Sequence, residues 1–244
     1  MAIAGQLNVA EGQLITKAVI GAANKPVVAI EAGTWLGGST LHILRALEQN
    51  GTGHLWGLEV DRSIYQPMLA NIRAEAPSES ARFTPSFGFL QDLFRQWKQE
   101  QSDNIAVDFT FLDGGNNARE QIEEFELLDP LIPVGGQLMT HDAKMRKGCW
   151  LVPFINRLDN WDSQLHDFTE TGLFYAKKTR IKPSSASLRG AMRHLLKQMC
   201  HPIEIVAAFL PSPVCRFALS LLPKTSPASS ATETTESHEC PRQR

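Results

Sequence analysis

Residues 27–40 read Val27-Val28-Ala29-Ile30-Glu31-Ala32-Gly33-Thr34-Trp35-Leu36-Gly37-Gly38-Ser39-Thr40. A short continuous apolar run leads into a glycine-bearing turn, and Ser39 and Thr40 then open a helix. Such a run suits a strand buried on both faces of a parallel sheet. Glycine lets the backbone bend sharply and come close to a ligand. Free N–H groups at a helix start favour a polar or anionic group. The spacing is not that of a dinucleotide turn, because Thr34, Trp35 and Leu36 separate Gly33 from Gly37. Bulky Trp35 and acidic Glu31 both disfavour a pyrophosphate. Glu31 instead suits a cationic amine, met directly or through water. About 20 residues on, Glu59 ends the next strand, where a carboxylate can accept both hydroxyls of a ribose. The expected ligand is a nucleoside with a positive appendage.

Working outward, strand and helix alternate. Leu14, Ile15, Ala18 and Val19 recur at helical spacing ahead of the turn. Helices are expected at 39–47, 64–74, 89–98, 119–128 and 150–158. Strands are expected at 55–60, around Phe83, at 107–112 and at 137–140. Pro67 is tolerable in a helix only within its first turn. Glu170-Thr171-Gly172 between two further strands reads as a hairpin turn. The pattern predicts a doubly wound α/β fold: a Rossmann-like sheet of seven strands, mostly parallel, with one antiparallel strand near the edge. The expected organisation is a helical lead-in over 1–26, a nucleoside-binding domain over 27–180, a helical extension over 181–222 and a disordered tail over 223–244. The basic amphipathic helix after Leu188 reads as a packing or homodimer helix, with a membrane surface or another partner as the alternative.

The chain has 244 residues, 20% of them charged, and a formal net charge of -2. That gives no basic stripe for nucleic acid. The four cysteines form no C-x-x-C pair, so structural zinc and a disulfide framework are not expected. No transmembrane run or signal peptide is evident, which makes the cytoplasm the expected compartment.

Several segments carry a resemblance. Residues 28–40 resemble motif I of class I S-adenosylmethionine-dependent methyltransferases. Gly57-Leu58-Glu59-Val60-Asp61 is similar to their second-strand motif. Phe111-Leu112-Asp113-Gly114-Gly115-Asn116 resembles a segment of small-molecule O-methyltransferases, and Gly135-Gly136-Gln137-Leu138-Met139-Thr140-His141-Asp142 resembles their fifth strand. The match runs in order over residues 10–178. It implies S-adenosyl-L-methionine as cofactor, held by Glu31, Gly33, Thr34, Trp35, Gly37, Ser39, Thr40, Glu59, Asp61 and Asp113. It places Phe87 where the family contacts adenine.

The resemblance implies direct displacement of a methyl group onto a small-molecule acceptor, most naturally an oxygen. An alcohol or phenol must then lose its proton to a base or to a metal-activated state. Asp113, His141 and Asp142 are candidate ligands for Mg²⁺ or another divalent cation. His141 stands at a position often acidic in metal-dependent relatives, and Asn116 where many have His. Without metal, His141 is the leading base, with Asp113 beside it and Lys144 as a further candidate. Trp35, Trp150 and Trp161 are candidate walls of an acceptor pocket. Two other readings stand beside this one: a nicotinamide-dependent oxidoreductase, and a non-catalytic module that keeps the cofactor fold.

Overall fold

The computed structural model describes residues 7–22, 24–101, 105–115 and 117–200. The candidate position Asn116, Cys215, Cys240 and the tail expected over 223–244 lie outside the described residues. The helices are α1 (Val9–Ile20), α2 (Gly38–Gln49), α3 (Arg62–Glu75), α4 (Leu90–Glu100), α5 (Ala118–Leu128), α6 (Gly148–Ile155) and α7 (Ser185–Met199). The strands are β1 (Val28–Ala32), β2 (His54–Glu59), β3 (Phe83–Phe87), β4 (Phe109–Leu112), β5 (Gln137–His141), β6 (Trp161–His166) and β7 (Leu173–Lys178).

The strands form one seven-stranded sheet in the order β3-β2-β1-β4-β5-β7-β6. β1, β2, β3, β4 and β5 pair in parallel, while β7 runs antiparallel to both β5 and β6. This is the sheet expected from the apolar runs. All four residues of β4 are buried, as a central parallel strand requires. Side chains alternate between two cores. Ala29, Phe109, Phe111 and Met139 pack with α1, α2 and α3. Ile30, Ala32, Leu112 and Leu138 pack on the other face with α4, α5 and α6. Ala191 and Leu195 of α7 join that second core, so this helix packs on the sheet domain itself.

Order reverses between β1, which runs on to β2 and β3, and β4, which runs on to β5. Ligands in open α/β sheets bind beyond the carboxyl ends of the strands at such a switch point. Two details depart from the sequence reading. Pro67 stands in the second turn of α3 rather than the first. It is exposed there, as is Ser63, so solvent reaches the carbonyl that loses its partner. Trp150 and Trp161 belong to the buried core, not to an acceptor pocket.

Where β1 meets β4 the two backbones touch. Gly33 has φ +83°, and a Cβ there would lie 2.5 Å from backbone atoms of Gly114. Neither backbone can give way, since Gly33 N–H donates to Leu58 O and Asp113 N–H to Ala32 O. Gly33→Ala is expected to cost about 3 kcal/mol or more, from the left-handed backbone and the overlap together. Chemical denaturation would measure the loss directly.

Candidate active site

At the carboxyl ends of β1, β2, β4 and β5 lies a cavity of about 380 Å³, within the size range of small-molecule sites. One wall is the β1 turn. Gly33, Thr34, Trp35 and Ser39 line it. Trp35 has φ +46°, uncommon for a bulky residue. Thr34 is fully buried, and its hydroxyl has no hydrogen-bond partner among the described residues.

Glu59, at the end of β2, is buried and lines the same cavity. Its Oε2 accepts from Trp35 N–H at 2.8 Å, and its Oε1 from Val60 and Asp61 N–H at 2.9 and 2.8 Å. The carboxylate thus locks the β1 turn to the β2 turn while keeping acceptor capacity. Asp61 also lines the cavity but caps α3 through Ser63.

Glu31 does not face the cavity. It is fully buried and accepts from the Ser39 hydroxyl and, at 2.7 Å, from the Thr40 hydroxyl. The acid thereby anchors the start of α2, and Thr40 serves it rather than the ligand. Burial pushes its carboxyl up to about 7, against the pull of those two hydrogen bonds. A folded-state value above the ordinary 4.5 makes Glu31 a proton holder in the native state. Its contribution is whole below pH 4.5 and is lost as pH rises through 7, on the order of 3 kcal/mol. Glu124, pushed up to about 8 mainly by burial, acts in the same sense. The ligand-free protein is therefore expected to melt at a lower temperature at pH 8 than at pH 5. Glu31→Gln should remove part of that slope in calorimetry.

The opposite wall carries the ionisable cluster. Asp113 follows β4, His141 ends β5, and Asp142 follows with φ +55°. All three line the cavity. His141 Nδ1 lies 3.1 Å from Asp142 Oδ1 and 3.8 Å from Asp113 Oδ2, and its Nε2 lies 3.6 Å from Glu11 Oε1. Burial works against a charged imidazole, but Asp142, Asp113 and Glu11 outweigh it, so the pKa of His141 is raised. Glu11 was not foreseen. It forms the capping box of α1 with Asn8 and is held by Thr169 of the β6–β7 connection at 2.9 Å.

Lys147 was also missed, and it dominates the cluster. Its ammonium pairs with Asp113 Oδ1, with Asp142 Oδ2 at 3.0 Å and with the Asp113 carbonyl at 3.3 Å. Burial would lower its pKa, but the two carboxylates raise it. The same ammonium and His141 hold Asp142 well below the usual carboxylate range despite burial. Lys144 goes elsewhere, to Asp167 at 2.7 Å, and is not among the residues lining the cavity. The residue that reaches inward is the one three places later, Lys147.

Phe87 is likewise displaced. It is the last residue of β3, packs edge-on against Tyr65 and lies under Arg62. The chain turns at Gly88, and Gly88, Phe89 and Leu90 line the cavity in its place. Gly37 caps α2 with φ +96° without lining the cavity. Glu124 of α5 lines it too, nearly fully buried and with Oε2 unpartnered among the described residues.

The β1 turn with Glu59 and the ionisable cluster of Asp113, His141, Asp142 and Lys147 thus line one cavity at the switch point of a 3-2-1-4-5-7-6 sheet. Residues 30–143 match the family model of a methyltransferase domain. That segment is a methyltransferase domain, and the sheet around it has the class I methyltransferase fold. No curated protein matches this methyltransferase in sequence. Solved structures do match it in fold. The O-methyltransferase TomG from Streptomyces achromogenes, solved with S-adenosylmethionine, is 18% identical at a TM-score of 0.57, covering 71% of this chain and 82% of its own. A Bacillus cereus O-methyltransferase in complex with S-adenosylhomocysteine is 16% identical at 0.56, covering 73% and 84%. A Geobacter sulfurreducens methyltransferase is 14% identical at 0.56, covering 71% and 80%. At these identities the likeness establishes the fold. Among the described residues of the methyltransferase, no helix is long and apolar enough to cross a membrane.

The residues present fit the methyl donor. The Glu59 carboxylate and the backbone of the glycine turn at Gly33 and Gly38 line the cavity. The metal reading fits less well. Oxygen and nitrogen atoms of Asp113, His141 and Asp142 lie within 4.8 Å of one another, but the Lys147 ammonium already bridges the two carboxylates.

Proposed function

We propose that the enzyme transfers the methyl group of S-adenosylmethionine to an oxygen of a small-molecule acceptor, with His141 taking the proton. The observation that carries this reading is the opening of the Asp113–His141–Asp142 cluster into the same cavity as Glu59. Solved structures of similar fold include O-methyltransferases with the methyl donor or its demethylated product bound, which supports both the donor and oxygen as the acceptor atom.

S-adenosylmethionine supplies an electrophilic methyl on a sulfonium when bound. The chain's residues do the rest. Glu59 accepts the ribose hydroxyls, and Thr34 and Trp35 fix the wall on which the nucleoside rests. Methyl transfer by displacement depends chiefly on alignment, so the rigid join of the β1 and β2 turns through Glu59 is itself a contribution. The proton of the acceptor hydroxyl would pass to His141 as the new O–C bond forms and the methyl–sulfur bond breaks, leaving the neutral thioether, and the charge so created on the imidazole would be held by Asp142 and Asp113. Calorimetric titration with S-adenosylhomocysteine, NADH as the control, tests the donor. Turnover on a panel of phenols, alcohols and amines tests the acceptor atom. Binding of NADH in preference to S-adenosylhomocysteine would sink the reading.

A further inference from the structure

We propose that Lys147 is the resident cation of this site, bridging Asp113 and Asp142 in the place a divalent metal would take, so that the enzyme works metal-free. For its activity arm the inference rests on the methyl-transfer reading above. Its binding arm does not.

The backbone delivers Lys147 there by a tight turn. Met145 N–H donates to Asp142 O, and Gly148 N–H to Met145 O. A Cβ on Gly148 would lie 2.2 Å from the carbonyl oxygen of Ala143, so the chain folds back on itself directly after Lys147. The side chain is thereby turned onto the ends of β4 and β5, where it is largely buried.

An ammonium has three N–H donors. Asp113 Oδ1, Asp142 Oδ2 and Asp113 O supply three acceptors, so its capacity is filled by the two residues expected to bind metal. A Mg²⁺ ion needs close approach of about 2.0–2.1 Å to its oxygen ligands and near-octahedral geometry. At that distance from Asp113 and Asp142 it would sit against the buried ammonium. It would have to expel Lys147, leaving a buried cation without its partners, which is strongly unfavourable. The lysine is tethered to the chain and competes at high effective concentration. Unlike a metal, this cation keeps no coordination site for the acceptor oxygen, so Lys147 is a positioning residue. It keeps the two carboxylates together and directed at His141, and leaves the proton to the imidazole.

The test is a titration of the full chain with Mn²⁺, followed by loss of the free-ion electron paramagnetic resonance signal. Wild type is expected to leave Mn²⁺ free. Lys147→Met, similar in length and uncharged, is expected to bind one Mn²⁺ at least about tenfold more tightly than wild type, and adding Asp142→Asn should abolish that binding. Folding of the variant is checked by its affinity for S-adenosylhomocysteine. A folded Lys147→Met that binds no Mn²⁺ overturns the proposal. So does wild-type binding of Mn²⁺ that Asp113→Asn removes, an arm that stands even if Lys147→Met does not fold. Chelator treatment should leave wild-type turnover unchanged, and a loss restored by Mg²⁺ would also overturn the proposal. Failure to bind S-adenosylhomocysteine at all would sink the methyl-transfer reading while the Mn²⁺ result stood on its own.

Discussion

His141→Gln is expected to lower turnover by about 10²–10⁴-fold, the usual worth of a positioned general base, while affinity for S-adenosylhomocysteine stays near wild type. The split follows from geometry. His141 touches Asp142, Asp113 and Glu11, and none of its contacts is with the β1 or β2 turn that would hold the nucleoside. The pH profile gives a second readout. Burial lowers the imidazole pKa, but the three carboxylates raise it further, to a value above the ordinary 6.5. A base acts in its unprotonated form, so kcat/KM should rise with pH through an apparent pKa above 6.5. Asp142→Asn should move that limb to lower pH, because it removes the hydrogen-bonded anion that favours the imidazolium. A profile flat through this region, or a variant retaining full turnover, would remove His141 from the reaction.

Glu59→Ala is the second large effect. Affinity for S-adenosylhomocysteine is expected to fall by about 100-fold or more, because hydrogen bonds to a charged acceptor contribute about 1.5–3 kcal/mol each and the ribose presents two hydroxyls. The loss has two parts. The carboxylate that would meet the ribose disappears, and the N–H groups of Trp35, Val60 and Asp61 lose the acceptor that ties β1 to β2. Glu59→Gln retains the shape but offers a single amide oxygen, so it should fall between wild type and alanine. Calorimetric titration of all three separates the contributions. Unchanged affinity in Glu59→Ala would place the ribose elsewhere.

The sheet was legible because its strands are buried on both faces and therefore read as apolar runs separated by short polar turns. The positions of the β1 turn and of Glu59 at neighbouring strand ends were legible because they follow from spacing along the chain. What the sequence concealed depends on which way a side chain turns. Lys144, Arg146 and Lys147 are three cations within four residues, and nothing in their order marks which one enters the cluster. The tight turn at Gly148 decides it, sending Lys147 inward and Lys144 out to Asp167. Glu124 sits in a helix with Glu120, Glu123 and Glu126, an apparently solvated run. Yet Gln121, Phe125 and Leu128 are buried beside it, so the helical period did carry a signal that the run of acids hid. The placing of Phe87 has a related cause: as the last residue of its strand it packs on Tyr65, and after the positive φ of Gly88 the next residues line the cavity. Glu11 lies some 130 positions from His141, a separation across which only the folded sheet brings them together.

Among the described residues two that are not glycine adopt the left-handed conformation, Trp35 and Asp142, and they stand on opposite walls of the cavity. Each conformation is uphill by itself and persists because its surroundings overdetermine it. The consequence concerns when the cavity acquires its shape. Its walls are set as the sheet assembles, so a ligand meets a cleft already ordered and forfeits little entropy in arranging it. Binding energy then remains for bringing sulfonium and acceptor into line.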